Sequence, residues 1–408
     1  MRGLPQDCPT ARLLGLKPHV HYFGGQGIGW ALDEDLNRAR EAVVGRVHAG
    51  TFARSPIIHS AWWPPLLSAG REALRGKSVV CFADNPPAFY LTCPGFEQAA
   101  ARVDMWIARS REAMDQFREL GLPSAFAPYT VSQDIFCPIP RAERKGIRDK
   151  LGISEGDFVV GNFHRDSLER DVSLPKAQKG PDIFVEIVDR ARQSIPSLKV
   201  LLAGPRRQWI RGELARRGIP FVFTGRLLDH DDFDVNVLPR EELNRLYAAL
   251  DCVLISSRWE GGPYAVLESL FAGRPVISTR VGMAADLLEG YLYSTPEEGA
   301  GLLTSIAATK PDFSPLRDAA LASHSTGALG SGLIEAYEGF CGDPEPVGRA
   351  IKAFFSLGLS RLHRNFCRPI GSHPGVAEVM ENVRRKLPGS SRVAGAAVRI
   401  AEASGSPS

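Results

Sequence analysis

The chain has 408 residues, enough for two domains or more, and its 44% hydrophobic and 23% charged residues are ordinary for a folded globular protein. A net charge of +3 is too small to argue for a nucleic-acid partner. Seven cysteines, an odd number with no CxxC pair, argue against a disulfide framework or a zinc site and fit a reducing cytoplasm, with Cys8, Cys137 and Cys341 as unpaired thiols. Met1 to Pro18 lacks the apolar core of a signal peptide, and no run reaches the length needed to cross a bilayer.

In chain order, His19 to Phe23 reads as a short strand. It runs into the Gly-rich loop Gly24-Gly25-Gln26-Gly27-Ile28-Gly29-Trp30. Ala31 to Val43 follows as a helix with Leu32, Leu36, Ala39 and Val43 on one face. A loop of this kind between strand and helix lets backbone amides approach an anionic or hydroxylated ligand, or forms a tight turn. Pro56–His59, Ser78–Ala83, Met105–Ala108 and Ala125–Pro128 are further strands. Arg111–Leu120 is a helix with Ser110 as its N-cap. The alternation predicts a parallel, Rossmann-like sheet. Pro138 and Pro140 interrupt structure and place a boundary near residue 140.

Past that boundary, Phe158–Phe163 opens a second series of strands. His164-Arg165 and a polar excursion to Lys176 follow, and Gln178-Lys179-Gly180-Pro181-Asp182 leads into a helix over Ile183–Arg192. Leu198–Ala203 and Phe221–Thr224 are strands around the helix Gln208–Arg217. Asp231-Asp232-Phe233-Asp234 reads as a solvated polar loop, not a metal-binding pair. Arg240–Ala249 is a helix leading to the strand Cys252–Ile255. The loop Trp259-Glu260-Gly261-Gly262 and Pro263 come next, then a helix over Tyr264–Ala272 ended by Gly273, and a strand Pro275–Ser278. Tyr291–Tyr293 is an edge strand and Glu297–Ala308 a helix. The strand order does not follow from the sequence, but right-handed crossovers favour a doubly wound arrangement.

Glu260 and Glu268 stand eight positions apart. On one helix that spacing would separate them by roughly 80°. The Gly-Gly-Pro break puts Glu260 on the loop and Glu268 on the helix, so that both can face one cleft. This unit, continuing through Ala272-Gly273-Arg274-Pro275-Val276-Ile277 and Gly282 to Asp286, resembles the Glu-x7-Glu signature of family 4 retaining glycosyltransferases. The resemblance implies the GT-B fold, two Rossmann-like doubly wound parallel-sheet domains facing each other across a cleft. The expected domains are 1–140 on the acceptor side, 141–345 on the donor side, and a C-terminal tail, 346–408.

The resemblance also implies roles. Glu260 contacts the transferred sugar, Glu268 the ribose hydroxyls, and Arg165 with Lys179 the donor diphosphate, Lys176 being an alternative to Lys179. Gly261, Gly262, Pro263 and the loop Gly282, Met283, Ala284 and Ala285 complete the donor side, with Met283 where a second Gly is usual and Asp286 where Glu is usual. Gly24, Gly25, Gly27 and His59 are candidates for the cleft. In relatives a second His stands two positions after the first, and here that position is Ala61, which leaves His59 equally open to a structural role. The leaving diphosphate gains negative charge, so a site without metal supplies cations and a helix N-terminus.

The implied activity is metal-independent transfer of a sugar from a nucleotide-diphosphate donor to a glycan or lipid-linked acceptor, with retention and with no resident cofactor. The alternative is a non-catalytic nucleotide-sugar-binding homologue. The tail carries ten Lys+Arg against three Asp+Glu, net +7, and the first 345 residues 39 against 43, net −4. Its apolar, Lys- and Arg-bearing stretch Val347–Arg364 suits either packing against the domains or peripheral contact with the inner face of a membrane.

Overall fold

The computed structural model describes residues 17–338, apart from 26, 28–30 and 71. The expectations for the N-terminus up to residue 16, for Cys8 and Cys341 and for the tail 346–408 lie outside the described residues. The chain forms two units: one up to Pro128 joined by the segment that starts at Thr326, the other Tyr129–Ser325.

The first unit holds a six-stranded parallel sheet built from β1 (His19–Phe23), β2 (His48–Ala49), β3 (Ile57–Ser60), β4 (Ser78–Phe82), β5 (Met105–Ala108) and β6 (Ser124–Phe126). Its spatial order is β2-β1-β3-β4-β5-β6, so the direction of winding reverses between β1 and β3. The central strands are short apolar runs buried along most of their length, as parallel strands covered on both faces must be. Ser110 caps the helix Arg111–Glu119 by accepting the amide of Ala113. Trp63 is buried against Tyr90 and Phe96.

The helix Thr326–Glu338 returns to this sheet, and Leu329, Leu333 and Tyr337 enter the same core as Val20, Leu36 and Val80. It can lie this close because Gly330 has no side chain. A Cβ there would stand 2.2 Å from the carbonyl oxygen of Ala42. The domain limits therefore differ from those expected. Residues 326–338 complete the first unit, and Tyr129, Val131 and Phe136, placed before the boundary by the sequence, are core residues of the second.

The second unit holds β7 (Phe158–Asn162), β8 (Leu198–Leu202), β9 (Phe221–Phe223), β10 (Cys252–Ile255), β11 (Val276–Thr279) and β12 (Leu292–Tyr293). All pair in parallel in the order β12-β11-β10-β7-β8-β9. Winding reverses between β7 and β10, and at such a switch point the loops leaving the carboxyl ends of the two strands diverge and open a crevice. The two sheets, each all-parallel and flanked by helices, make the α/β class expected.

Candidate active site

The loops that leave β7 and β10 are fastened to each other. Gly180, which ends the β7 loop, has φ +57, and a Cβ on it would lie 2.0 Å from the carbonyl oxygen of Ser256. Only glycine fits that approach. Around it, the amide of Arg258 donates to Gln178 O at 2.8 Å and Ser256 Oγ to Lys179 O at 2.9 Å. Asp182, in the first turn of the helix Pro181–Ala191, pairs with Arg258 at 2.5 Å.

This fastening brings Lys179 to Glu260. The ammonium lies 2.5 Å from Glu260 Oε1, which also accepts from Ser257 Oγ. Glu260 is 7% exposed. Burial pushes its carboxyl upward, but the Lys179 charge and the two hydrogen bonds outweigh that and hold it below the ordinary range. Of the two candidate lysines, Lys179 is thus the one at the carboxylate. The backbone amide of Lys176 goes to the carbonyl of Asp166.

Arg165 has its guanidinium 5.8 Å from the centre of the Phe233 ring. Arg206 covers the same ring and pairs with Asp231 at 2.8 Å. Asp231-Asp232-Phe233-Asp234 is only in part the solvated loop expected: Asp231 and Asp234 are exposed, but Phe233–Asn236 is a short helix. Asp232 is fully buried, accepting from the amide of Arg206 and from Asn236 at 2.6 Å each. A buried carboxylate needs such donors, and here Arg206 and Asn236 supply them.

Behind His164 and Arg165 sits a buried ion pair that sequence reasoning did not assign. Arg207, without exposure, lies 2.7 Å from Asp166 and donates to Asn162 Oδ1 and to the carbonyl of His164. Burial raises the Asp166 carboxyl to about 6, against the pull of Arg207. The amide of His164 donates to the same Asn162 oxygen at 3.0 Å. A fully buried arginine is rare, and nothing in the pattern around Gly204-Pro205-Arg206-Arg207 marks it.

Glu268 faces a different neighbour from Glu260. It accepts from the Tyr247 hydroxyl at 2.8 Å, and the Tyr247 ring meets Phe163 edge-on at 5.0 Å. Pro263 stands just before the helix Tyr264–Phe271, in extended conformation, not at its first turn. Gly261 and Gly262 lie against the start of the helix Gly282–Leu287. Gly282 has φ +44, and a Cβ there would meet Gly261 O at 2.0 Å. In the loop placed on the donor side, the amides of Met283 and Ala284 are already bonded to Gly261 O and Val281 O, and both side chains are fully buried. Ala285 is partly exposed.

In the first unit, Gly24 has φ +81 and packs against Ser60 and Pro65, while the amide of Gly27 donates to Asp33 at 3.0 Å. His59 does not line a cleft. It is fully buried, its Nδ1 2.6 Å from the Tyr337 hydroxyl and its ring 4.2 Å from Phe82. Burial and the Arg109 charge lower its pKa to about 3, so it is a neutral core residue. Ala61 is buried too.

The sheet architecture is that of the GT-B fold. The chain aligns with the crystal structure of Anabaena HepE in complex with UDP and glucose at a TM-score of 0.61, 16% identity, and coverage of 79% of this chain and 100% of that one. WaaG, a glycosyltransferase of lipopolysaccharide biosynthesis, aligns at 0.52 with 16% identity, over 80% of this chain and 100% of its own. Sucrose-phosphate synthase from Thermosynechococcus elongatus aligns at 0.53 with 14% identity, over 84% and 99%. Within the second unit, residues 172–308 match the family Glycosyl transferases group 1, a segment that includes Lys179, Glu260, Glu268 and the Gly282 turn. No curated protein matches the chain by sequence.

Proposed function

We propose that the protein is a retaining glycosyltransferase of family 4 type, moving a sugar from a nucleotide-diphosphate donor to a hydroxyl of a glycan or lipid-linked acceptor. The observation that carries this is the Lys179–Glu260 pair at the switch point of the second sheet. Lys179 supplies positive charge where a leaving diphosphate gains negative charge, and Glu260, kept ionised, accepts hydrogen bonds from the hydroxyls of the transferred sugar. Arg165 extends the cationic side. Glu268, which accepts from the Tyr247 hydroxyl, holds the ribose. HepE was crystallised with UDP and glucose and WaaG serves lipopolysaccharide synthesis, which supports this class of donor and acceptor.

A panel of UDP, GDP and ADP sugars offered with and without glycan acceptors tests the reading, with the anomeric configuration of the product followed by NMR. Transfer that survives EDTA is expected, and activity abolished by EDTA and restored by Mg²⁺ or Mn²⁺ would overturn metal independence. A non-catalytic nucleotide-sugar-binding homologue is the second reading, favoured by buried Ala61 and by the Met283 and Ala284 amides already bonded within the protein. Tight nucleotide binding without turnover under every acceptor would select it. Among the described residues no helix is long and apolar enough to cross a membrane. Peripheral membrane contact stays a proposal about the tail.

A further inference from the structure

His164 stands at the donor site with a hydrogen-bonding capacity that the protein does not use. Its backbone is clamped, the amide donating to Asn162 Oδ1 at 3.0 Å and the carbonyl accepting from Arg207. Arg207 is itself locked by Asp166, both of them buried. So much buried polar structure around one turn fixes where the His164 ring can go. Among the described residues neither ring nitrogen has a hydrogen-bond partner within the protein. Nδ1 is enclosed, while the residue as a whole keeps part of its surface open. The polar atom left for a ligand is Nε2.

Resting on the glycosyltransferase reading above, we infer that His164 is a further substrate-contacting residue, whose ring hydrogen-bonds a hydroxyl of the transferred sugar beside Glu260. The charges around the ring decide between sugar and phosphate. Burial, helped by Lys179, keeps the imidazole neutral down to about pH 3, so it brings no positive charge to an anion. Of the charges that act on the ring, Lys179 is paired with Glu260 and Arg207 with Asp166, and the Glu260 carboxylate repels a phosphate oxygen but accepts from a hydroxyl. A hydroxyl donates and accepts, and can therefore satisfy the carboxylate and the neutral imidazole together. Phosphate is left to Lys179 and Arg165.

Calorimetry compares wild type, His164→Ala and His164→Gln against nucleoside diphosphates and the matching nucleotide sugars. His164→Ala should bind the diphosphate as wild type does and the nucleotide sugar about tenfold more weakly, the loss of one uncharged hydrogen bond. His164→Gln should recover part of that loss. Equal weakening toward both ligands, or toward neither, overturns the inference. Wild-type protein that binds no nucleotide sugar refutes the functional reading itself, and the inference falls with it. That result appears before any variant is made, so the two failures are distinguishable. Should His164→Ala not fold, the His164→Gln comparison between the two ligands decides alone, with selective weakening toward the sugar in support and equal effects against.

Discussion

Lys179 Nζ and Glu260 Oε1 lie 2.5 Å apart although 81 residues separate them in the chain. The lysine is what keeps the buried carboxyl ionised, since burial alone would raise it. Replacing Lys179 with Met should therefore do more than remove a cation from the donor. The Glu260 carboxyl should move up toward neutrality, and the pH profile of kcat/KM should gain an ionisation absent from wild type. An unchanged profile would show that Glu260 does not depend on Lys179. Glu260→Gln should lower kcat at least about a hundredfold while nucleoside diphosphate affinity changes by less than about threefold. Turnover near the wild-type rate would remove Glu260 from the reaction.

Gly180→Ala should be among the most damaging single-methyl additions in the second unit. The new Cβ would meet the backbone of Ser256 at 2.0 Å, at a φ of +57 that side chains avoid. A loss of about 3 kcal/mol or more in urea unfolding is expected, with weakened nucleotide binding because Lys179 is adjacent. Wild-type stability would mean that the two loops part readily.

Two carboxyls should pull stability in opposite directions with pH. Burial raises Asp84 from 3.8 to about 6, despite its 2.5 Å bond from the Tyr90 hydroxyl. A raised folded-state value means that its contribution is full below 3.8 and is lost as pH climbs through about 6. Glu260, lowered from 4.5, contributes above 4.5 and loses that contribution as pH falls through its folded value. Asp84→Asn should match wild type near pH 4 and become the more stable of the two above pH 6. Parallel stability curves across that window would contradict this.

Tyr337→Phe removes the hydroxyl bonded to His59 Nδ1 in the core of the first unit. The imidazole is then left buried without that partner, at a cost of about 1–3 kcal/mol. Chemical denaturation should show it. No change would mean that water or another group replaces the hydroxyl.

The fold was legible where local signals and tertiary needs agree. Cys252–Ile255 and Arg240–Ala249 fall where the apolar runs place them, and Ser110 caps its helix as its position suggests. The helix Arg141–Lys150 was missed because it is almost wholly charged, held by Arg144 and Arg148 pairing with Asp251 rather than by an apolar face. The helix Thr326–Glu338 was not assigned from the sequence, and its Gly330 is what admits the backbone of Ala42. Glu260 and Lys179, candidates from the family resemblance, are brought together by the fold. Arg207 and Asp166 were not assigned from the sequence, since a buried ion pair is a property of two loops distant in sequence. For His59 the sequence left cleft and structural roles equally open, and β3 places it under Tyr337.

The return of residues 326–338 to the first sheet makes the second unit an insertion within the first, entered after Pro128 and left after Ser325. No single cut can then yield the first unit whole. A fragment ending at 140 would take Tyr129, Val131 and Phe136 out of the second core, and would itself lack Leu329, Leu333 and Tyr337. A continuous first unit needs residue 128 spliced to 326, whereas Tyr129–Ser325 is an uninterrupted stretch that can be expressed as it stands. Truncation from the C-terminus past residue 338 should register in the stability of the N-terminal sheet before it touches the donor site.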